Sequence, residues 1–386
     1  MSLDSTESIK SNQNTTSYNS FDEVPEHLQI TELNLLKITS LCDSDTLDLA
    51  DDKYDLRGKY ILKCFVHQCP EPNKTIKIIK NIDSLNFKFC ESLDYLFINF
   101  NSVESIEGIN NIDVSNVRDM SNMFSYCRML ESLDLNKWNT SNVEYMIGLF
   151  AFCESLHTIN ISNWNTSNVK DIREMFYCCK SLKSLNISNW DVSNINDLSN
   201  VFNDCSSLQS LDLNKWNTSN VKTLFSMFNN CKSLKSLNIS NWDVSNVINM
   251  YNTFEFCTSL VELDLTKWNT SKVKNMNHTF RYCKSLVSLD LSNWDVSKVE
   301  YMNELFYKCK SLKYLNFSSF DGKNLLFAYN IFHSCKSLNL IDLSKSGNIS
   351  DIMYSIKYDN YDKFENLTII LPDSYITISN ESSNQN

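Results

Sequence analysis

Glycine and proline are nearly missing from this chain, which has five glycines and four prolines in 386 residues. Its turns must therefore be made by Asn, Asp and Ser, whose side chains can bond their own backbone. Excess positive charge is missing too. The net charge is −11, and without a basic stripe no nucleic-acid partner is expected. Nowhere does an apolar run approach the roughly 18 residues of a membrane-spanning helix, so no membrane span is expected. The opening stretch MSLDSTESIKSNQNTTSYNSF lacks the apolar segment of a secretory signal, and the closing YITISNESSNQN lacks a hydrophobic anchor. A cytoplasmic location is the expectation on these grounds, with cell surface or secretion as the alternative. There is no C-x-x-C pair, phosphate loop or G-x-S-x-G elbow, and the five histidines (His27, His67, His157, His278, His333) form no pair at helical spacing. The chain thus reads as non-enzymatic, with no cofactor and no metal.

What it has instead is one phrase written many times. WNTSNV runs from Trp138 to Val143, returns at Trp164 and Trp216, and stands as WNTSKV at Trp268. All seven tryptophans (Trp138, Trp164, Trp190, Trp216, Trp242, Trp268, Trp294) fall on one series of step 26. With tryptophan as position 0, position 3 is serine from Ser115 to Ser297, and position 5 is Val or Ile. Position 8 is Met, Ile or Leu, position 12 is phenylalanine from Phe124 to Phe332, and position 15 is cysteine from Cys127 to Cys335. Positions 18, 21 and 23 are nearly always Leu or Ile.

Positions 21 and 23 alternate with polar neighbours, as in Leu211-Asp212-Leu213. That period of two predicts a short strand with one buried face. Positions 8, 12 and 15 are spaced by four and three, which predicts a short helix with one apolar stripe. Its start is placed near position 7, because Lys or Arg at position 6 opposes the helix dipole even though Ser at position 3 is a good cap. One strand and one helix cannot bury their own apolar faces, whereas stacked copies can, each strand pairing in parallel with the next. The expected fold class is an α/β repeat solenoid, leucine-rich-repeat-like, with one short parallel strand and one short helix per 26-residue rung. Alternation of WNTS and WDVS between 190 and 297 points to a duplicated pair of rungs.

The expected layout is a Ser/Asn-rich disordered tail over 1–28, an N-terminal cap over 29–88, the solenoid over 89–345, a C-terminal cap over 346–375 and a disordered tail over 376–386. CESLDYLFINF (Cys90 to Phe100) reads as a half-repeat at the solenoid's start, and NLTIILP (Asn366 to Pro372) as a closing strand.

The unit LDLSNWDVSKVEYMNELFYKCKSLKYLNF, from Leu289 to Phe317, strongly resembles the BspA-like leucine-rich-repeat family, also described as mycoplasma lipoprotein-associated repeats. The resemblance covers about residues 90–345. It implies a curved solenoid, and it brings a surface adhesin into view as the alternative to an interaction scaffold.

Four features compete as candidate sites. The nine position-15 cysteines could suggest metal or disulfides, but identical places on successive rungs favour a reduced, buried packing ladder. Cys178 adds a thiol expected on the outer side of its helix. CFVHQC (Cys64 to Cys69) could offer zinc ligands with Cys42 or Cys90, though its spacing matches no common finger. The tryptophan column could stack a glycan or a partner, and reads better as a buried ladder. Position 22 remains: Asp134, Asn160, Asn186, Asp212, Asn238, Asp264, Asp290, Asn316 and Asp342. These form a strip of small acidic and amide groups on the concave strand face. A solvated face of mutually bonded side chains is the plainer account. The functional one is a polar docking surface for a protein segment, with a glycan as the lesser option.

Overall fold

The computed structural model describes residues 76–358 without interruption, together with 29–30, 45–51, 60–61, 364 and 366–373. The tails expected over 1–28 and 376–386, most of the N-terminal cap, and the zinc candidates Cys42, Cys64, His67 and Cys69 lie outside the described residues.

Short strands recur along the chain: β1 (Gln29–Ile30), β2 (Thr46–Asp48), β3 (Tyr60–Ile61), β4 (Ile78–Lys80), β5 (Ser105–Ile106), β6 (Ser132–Asp134) and β7 (Thr158–Asn160). They continue as β8 (Ser210–Asp212), β9 (Ser236–Asn238), β10 (Ser288–Asp290), β11 (Tyr314–Asn316), β12 (Leu340–Asp342) and, after one helix α1 (Ser350–Tyr358), β13 (Thr368–Ile370). Every recorded pairing is parallel, and within the repeat the register is one rung: Leu133 faces Ile159, Leu211 faces Leu237, Leu289 faces Leu315 and Leu315 faces Ile341. Each strand holds one leucine or isoleucine between two outward polar residues in most rungs, which is the alternation the sequence carries.

The helix expected in each rung is not there. Among the described residues the one complete α-helix is α1, beyond the last rung. Positions 8 to 15 instead form consecutive tight turns. In the rung of Trp138, the amides of Leu149, Ala151 and Cys153 bond the carbonyls of Met146, Gly148 and Phe150, each three residues back. The amides between them, of Met146, Gly148, Phe150 and Phe152, go across to Asp171, Arg173, Met175 and Tyr177 of the next rung. An α-helix would send every amide four residues back along its own segment. Here every second one leaves the rung, so the turns also form a ladder. Apolar residues at 8, 12 and 15 fit either structure, because successive four-residue turns also bring those positions to one side.

The turns require left-handed backbone at positions 10 and 14. Among the described residues twenty non-glycine positions have positive φ, including Asn122, Tyr126, Phe152, Phe256 and Tyr282. Gly148 (φ 57°) is the rare rung that uses glycine there. Aromatic residues in this region cost about 1–2 kcal/mol each, and the rung-to-rung bonds on either side offset that cost. Up to three further turns in a rung are closed by Asn, Asp, Ser or Thr. Asn139 accepts the amide of Ser141, Asp171 that of Arg173 and Asp134 that of Asn136. A glycine-poor chain turns corners in this way.

The interior explains the repetition. Phenylalanines at position 12 stack from Phe97 through Phe332 with centroids 5.4–5.8 Å apart. All seven tryptophans are buried. Most indole N–H groups donate to the position-23 carbonyl of the preceding rung, as Trp164 does to Leu135 at 3.1 Å and Trp242 to Leu213 at 2.9 Å. All nine ladder thiols are buried, and each donates to the position-12 carbonyl of the rung before; Cys231 to Phe202 at 3.1 Å is typical. Asparagine at position 4 does the same for the position-3 carbonyl, as Asn168 does for Ser141 at 2.7 Å. The thiols, the position-4 asparagines and most of the indoles thus satisfy backbone groups one rung away. A single unit could not meet this requirement alone.

The first rung departs in an instructive way. Ser92 bridges to Asp119, Phe97 stacks on Phe124, and Phe100 is the residue that closes the turn as Cys127 does in the next rung. CESLDYLFINF is therefore the turn half of a rung, offset by 27 residues from its neighbour, and Cys90 does not belong to the thiol ladder. Cys178 is buried rather than outward. It occupies a left-handed turn position and faces the Asp204 carboxylate at 3.5 Å.

Candidate functional site

The position-22 residues stand on the strand face at one rung spacing, about 4.8 Å. Asp134, Asn160, Asn186, Asp212, Asn238 and Asp264 are exposed, and Asp290 and Asn316 are half-buried. Their oxygens have a structural task. Asp212, Asp264, Asp290 and Asn316 accept the amides of Asn214, Thr266, Ser292 and Ser318, all at 3.0–3.2 Å, so each closes the turn that leaves its strand. Asn238 also donates to Asp212 across one rung at 3.0 Å, and Ser188 donates to Asn186 at 3.3 Å. The hydroxyl of Thr266, 2.6 Å from Asp264, and the Thr266 amide hold that carboxyl below the usual carboxylate range.

These residues gather in part into a groove. An open depression of about 670 Å³ crosses four rungs and is lined by Ser210, Asp212, Asn238, Glu262, Asp264 and Asp290 among others. A smaller hollow of about 300 Å³ beside it takes in Asn186, Ser188 and Asp212. Asp134, Asn160 and Asn316 lie on the same face without lining the larger groove. Glu262 is the groove residue that position 22 does not reveal. It stands at position 20, where the neighbouring rungs carry Ser236 and Ser288, and a comparison of rungs at that position singles it out. Leu211, Leu237 and Leu263 form the floor.

The other candidates resolve into structure. The tryptophans are interior, so they offer no face to a ligand. The thiols are interior as well, and burial pushes them up, Cys335 to about 12 and Cys231 well above an ordinary thiol. A buried thiol that holds its proton is a poor nucleophile and a poor metal ligand. Among the described residues no three His, Cys, Asp or Glu side chains are placed to hold a metal ion. None of the described helices is long and apolar enough to cross a membrane.

Four overlapping stretches, 72–159, 91–195, 150–263 and 248–362, match the family described as "Mycoplasma protein of unknown function, DUF285". No curated protein sequence matches the chain. Among solved structures, a leucine-rich repeat protein from Bacteroides ovatus is 22% identical, with 77% of this chain and 84% of that one covered and a TM-score of 0.29. A leucine-rich cell surface protein from Faecalibacterium prausnitzii is 14% identical, with coverage of 90% and 92% and a TM-score of 0.30. The TLR13 complex with ssRNA13 is 19% identical with a TM-score of 0.32; 82% of this chain is covered, and it spans only 43% of that chain. Likenesses at this level concern repeat architecture and say nothing about partners.

Proposed function

Since this chain belongs to the DUF285 family, whose description carries no activity, we propose from its geometry that it is a non-enzymatic interaction scaffold that docks a protein segment on its strand face. The groove over Asp212, Asn238, Glu262, Asp264 and Asp290 carries this reading. It is a wide polar trough on a rigid ladder, and its floor leucines are nearly covered. Affinity on such a surface comes from many polar contacts along successive rungs, and the repeat supplies these at regular intervals. A glycan is the lesser occupant.

Changing Asp212, Asp264 and Asp290 to Lys tests the reading. Each change also removes a turn-closing acceptor at about 0.5–1.5 kcal/mol, so the melt should fall while the chain stays folded. A partner captured from native cells by the parent should be lost, chiefly through slower association. Retention of that partner by the triple variant would move the site elsewhere.

A cytoplasmic location fits the nine buried thiols, which suit a reducing compartment. Fractionation of native cells tests it, and recovery at the cell surface would favour the adhesin reading.

A further inference from the structure

The side of the solenoid formed by the consecutive turns carries a second surface, with different chemistry from the strand face. Its outer residues are those at positions 13, 14 and 16. In the N-terminal half the position-16 column neutralises itself: Arg128 and Lys180 both pair with Glu154, which lies between them in rung order. In the C-terminal half the same column reads Lys284 and Lys310 on consecutive rungs. The Ser311 amide bonds the Lys284 carbonyl, so these rungs are in direct register there. Like charges opposed at one rung spacing repel one another, in a chain whose overall charge is −11.

The ground around this column is built. Phe256 and Tyr282 stack at 4.4 Å, Tyr307 and His333 at 4.8 Å, and Tyr282 meets Tyr307 edge-on. Arg281 lies over Phe256, Tyr282 and Tyr307 at 5.0–5.9 Å. The nearby carboxylates of Glu255 and Glu304 are taken by Arg281, at 2.6 Å each. Lys308 sits over Tyr282 and Tyr307, 5.0 Å from each ring, and donates to the Tyr282 hydroxyl at 3.2 Å. Lys284 lies 5.7 Å from the Tyr282 ring, and Lys310 is exposed to solvent. The rings therefore hold Arg281, Lys284 and Lys308 in place, Lys310 stands free of them in solvent, and the carboxylates of Glu255 and Glu304 are committed to Arg281. Positive charge is left in a row along the array.

We propose that this row, Lys284 and Lys310 flanked by Lys308, binds a linear acidic polysaccharide laid along the solenoid axis. A polyanion relieves the repulsion within the column, and its recurring charges meet cations that recur at each rung. Two other polyanions fit less well. A single-stranded nucleic acid needs open ring faces for its bases, whereas these rings are stacked on one another or covered by Arg281 and Lys308. An acidic peptide gains affinity from main-chain pairing, and the turn ladder leaves little to pair with. The amides of Met276, His278, Phe280 and Tyr282 all go to the next rung.

The test uses the full chain over immobilised heparin and immobilised polygalacturonate, with oligothymidylate and polyglutamate as competitors. The parent should bind at least one polysaccharide, with affinity that falls steeply as salt rises. Lys284→Glu with Lys310→Glu should weaken it by about tenfold or more while the melt stays in place. Lys284→Gln with Lys310→Gln should give an intermediate loss if charge reversal proves too disruptive to the fold. Lys137→Glu with Lys215→Glu makes the same change in net charge on the strand side and should leave binding within about twofold. Absence of binding, or an equal loss in both Lys→Glu pairs, overturns the site. Competition by oligothymidylate or polyglutamate as strong as that by free polysaccharide overturns the ligand class.

Discussion

Between Asp171 and Asp197 the array loosens along one side and holds along the other. On the holding side, Phe176 stacks on Phe202 at 5.8 Å, and the amides of Glu174, Phe176 and Cys178 reach Ser199, Val201 and Asn203 at 2.8–3.1 Å. On the loosening side, the chain of single bridges at position 7 runs from Ser92 to Asp171 and resumes at Asp197. Strand pairing passes from β7 to β8 without a strand at 184–186, and the Trp190 indole N–H is buried without an acceptor. A second gap in strand pairing falls at 262–264, between β9 and β10, where the Trp294 indole N–H is orphaned in the same way, but there the position-7 bridges run unbroken from Asp197 to Phe327. The difference tracks one surface detail. Asp171 and Asp197 are in-register aspartates on adjacent rungs, whereas elsewhere in that column Asp119 faces Tyr145, and Thr223 faces Asn249. Two like charges at that separation cost on the order of 1 kcal/mol even in water. Arg173 grips only its own neighbour Asp171, at 2.7 Å. A uniform core therefore does not make a uniform array: the bridges at position 7 break at the one place in the described column where two aspartates stand in register.

The largest effect that would sharpen this contrast is in the tryptophan column. Trp242 is stacked on Trp216 and Trp268 and its N–H is bonded, whereas Trp190 stacks on Trp164 and its N–H is orphaned. Trp242→Ala should cost about 3–5 kcal/mol in urea unfolding, and Trp190→Ala about 1 kcal/mol less. Equal losses would mean that the seam has no energetic content. Next comes Cys231→Ser, expected to cost about 1 kcal/mol, at the low end for a buried hydroxyl, because the Phe202 carbonyl is in place to accept its proton. In the same column, alkylation of the folded protein should spare the ladder thiols and label them after unfolding.

A smaller effect should have the opposite sign. Asp197→Asn should stabilise by about 0.5 kcal/mol and slow hydrogen exchange at Asn196. That amide lies on the loosened side, where Glu144 and Lys170 have rung-to-rung bonds. Faster exchange would show that charge does not set the seam. The smallest effect concerns pH. The Asp264 carboxyl is held low by Thr266, so its contribution to stability is present above the ordinary carboxylate pKa, near 4. It fades as pH falls through the depressed folded value. Thr266→Val should lower the neutral-pH melt slightly, leave the melt at low pH nearly unchanged, and so flatten the acid limb of the stability profile.

Much of this molecule was legible in its sequence, because each rung faces a near copy of itself. The period of 26, the parallel stacking, the buried tryptophans and the thiol ladder all follow from residues that recur in one environment. The helix did not follow, and the reason is geometric. Apolar spacing of four and three reports which side chains share a side, and turns that bond alternately inward and across give the same sides as a helix. The telling signal lay in positions 10 and 14, where Asn122, Asn200, Asn230 and Asn252 hint at left-handed backbone, but Tyr126, Phe152 and Tyr282 obscure it. On the strand face, position 22 was readable as polar and outward. Its use as a turn closure, and the place of Glu262 in the groove, needed the coordinates.

The hydroxyl at position 2 has a bearing on how such a gene can change length. Thr140, Thr166, Thr218 and Thr270 each donate to the position-1 carbonyl of the following rung at 2.9–3.0 Å, and Val192, Val244 and Val296 cannot. From Trp190 onward, donor and non-donor rungs alternate, so the grammatical unit there is a couplet of twice 26 residues. Unequal crossing-over that adds or drops a whole couplet leaves every rung beside a neighbour of the kind it already had. Loss of the single rung at Trp216 would set two valine rungs side by side and leave a carbonyl without its hydroxyl donor. Descendants of this gene are therefore expected to differ in length by couplets in this stretch more readily than by single rungs, as a verse loses lines in rhyming pairs.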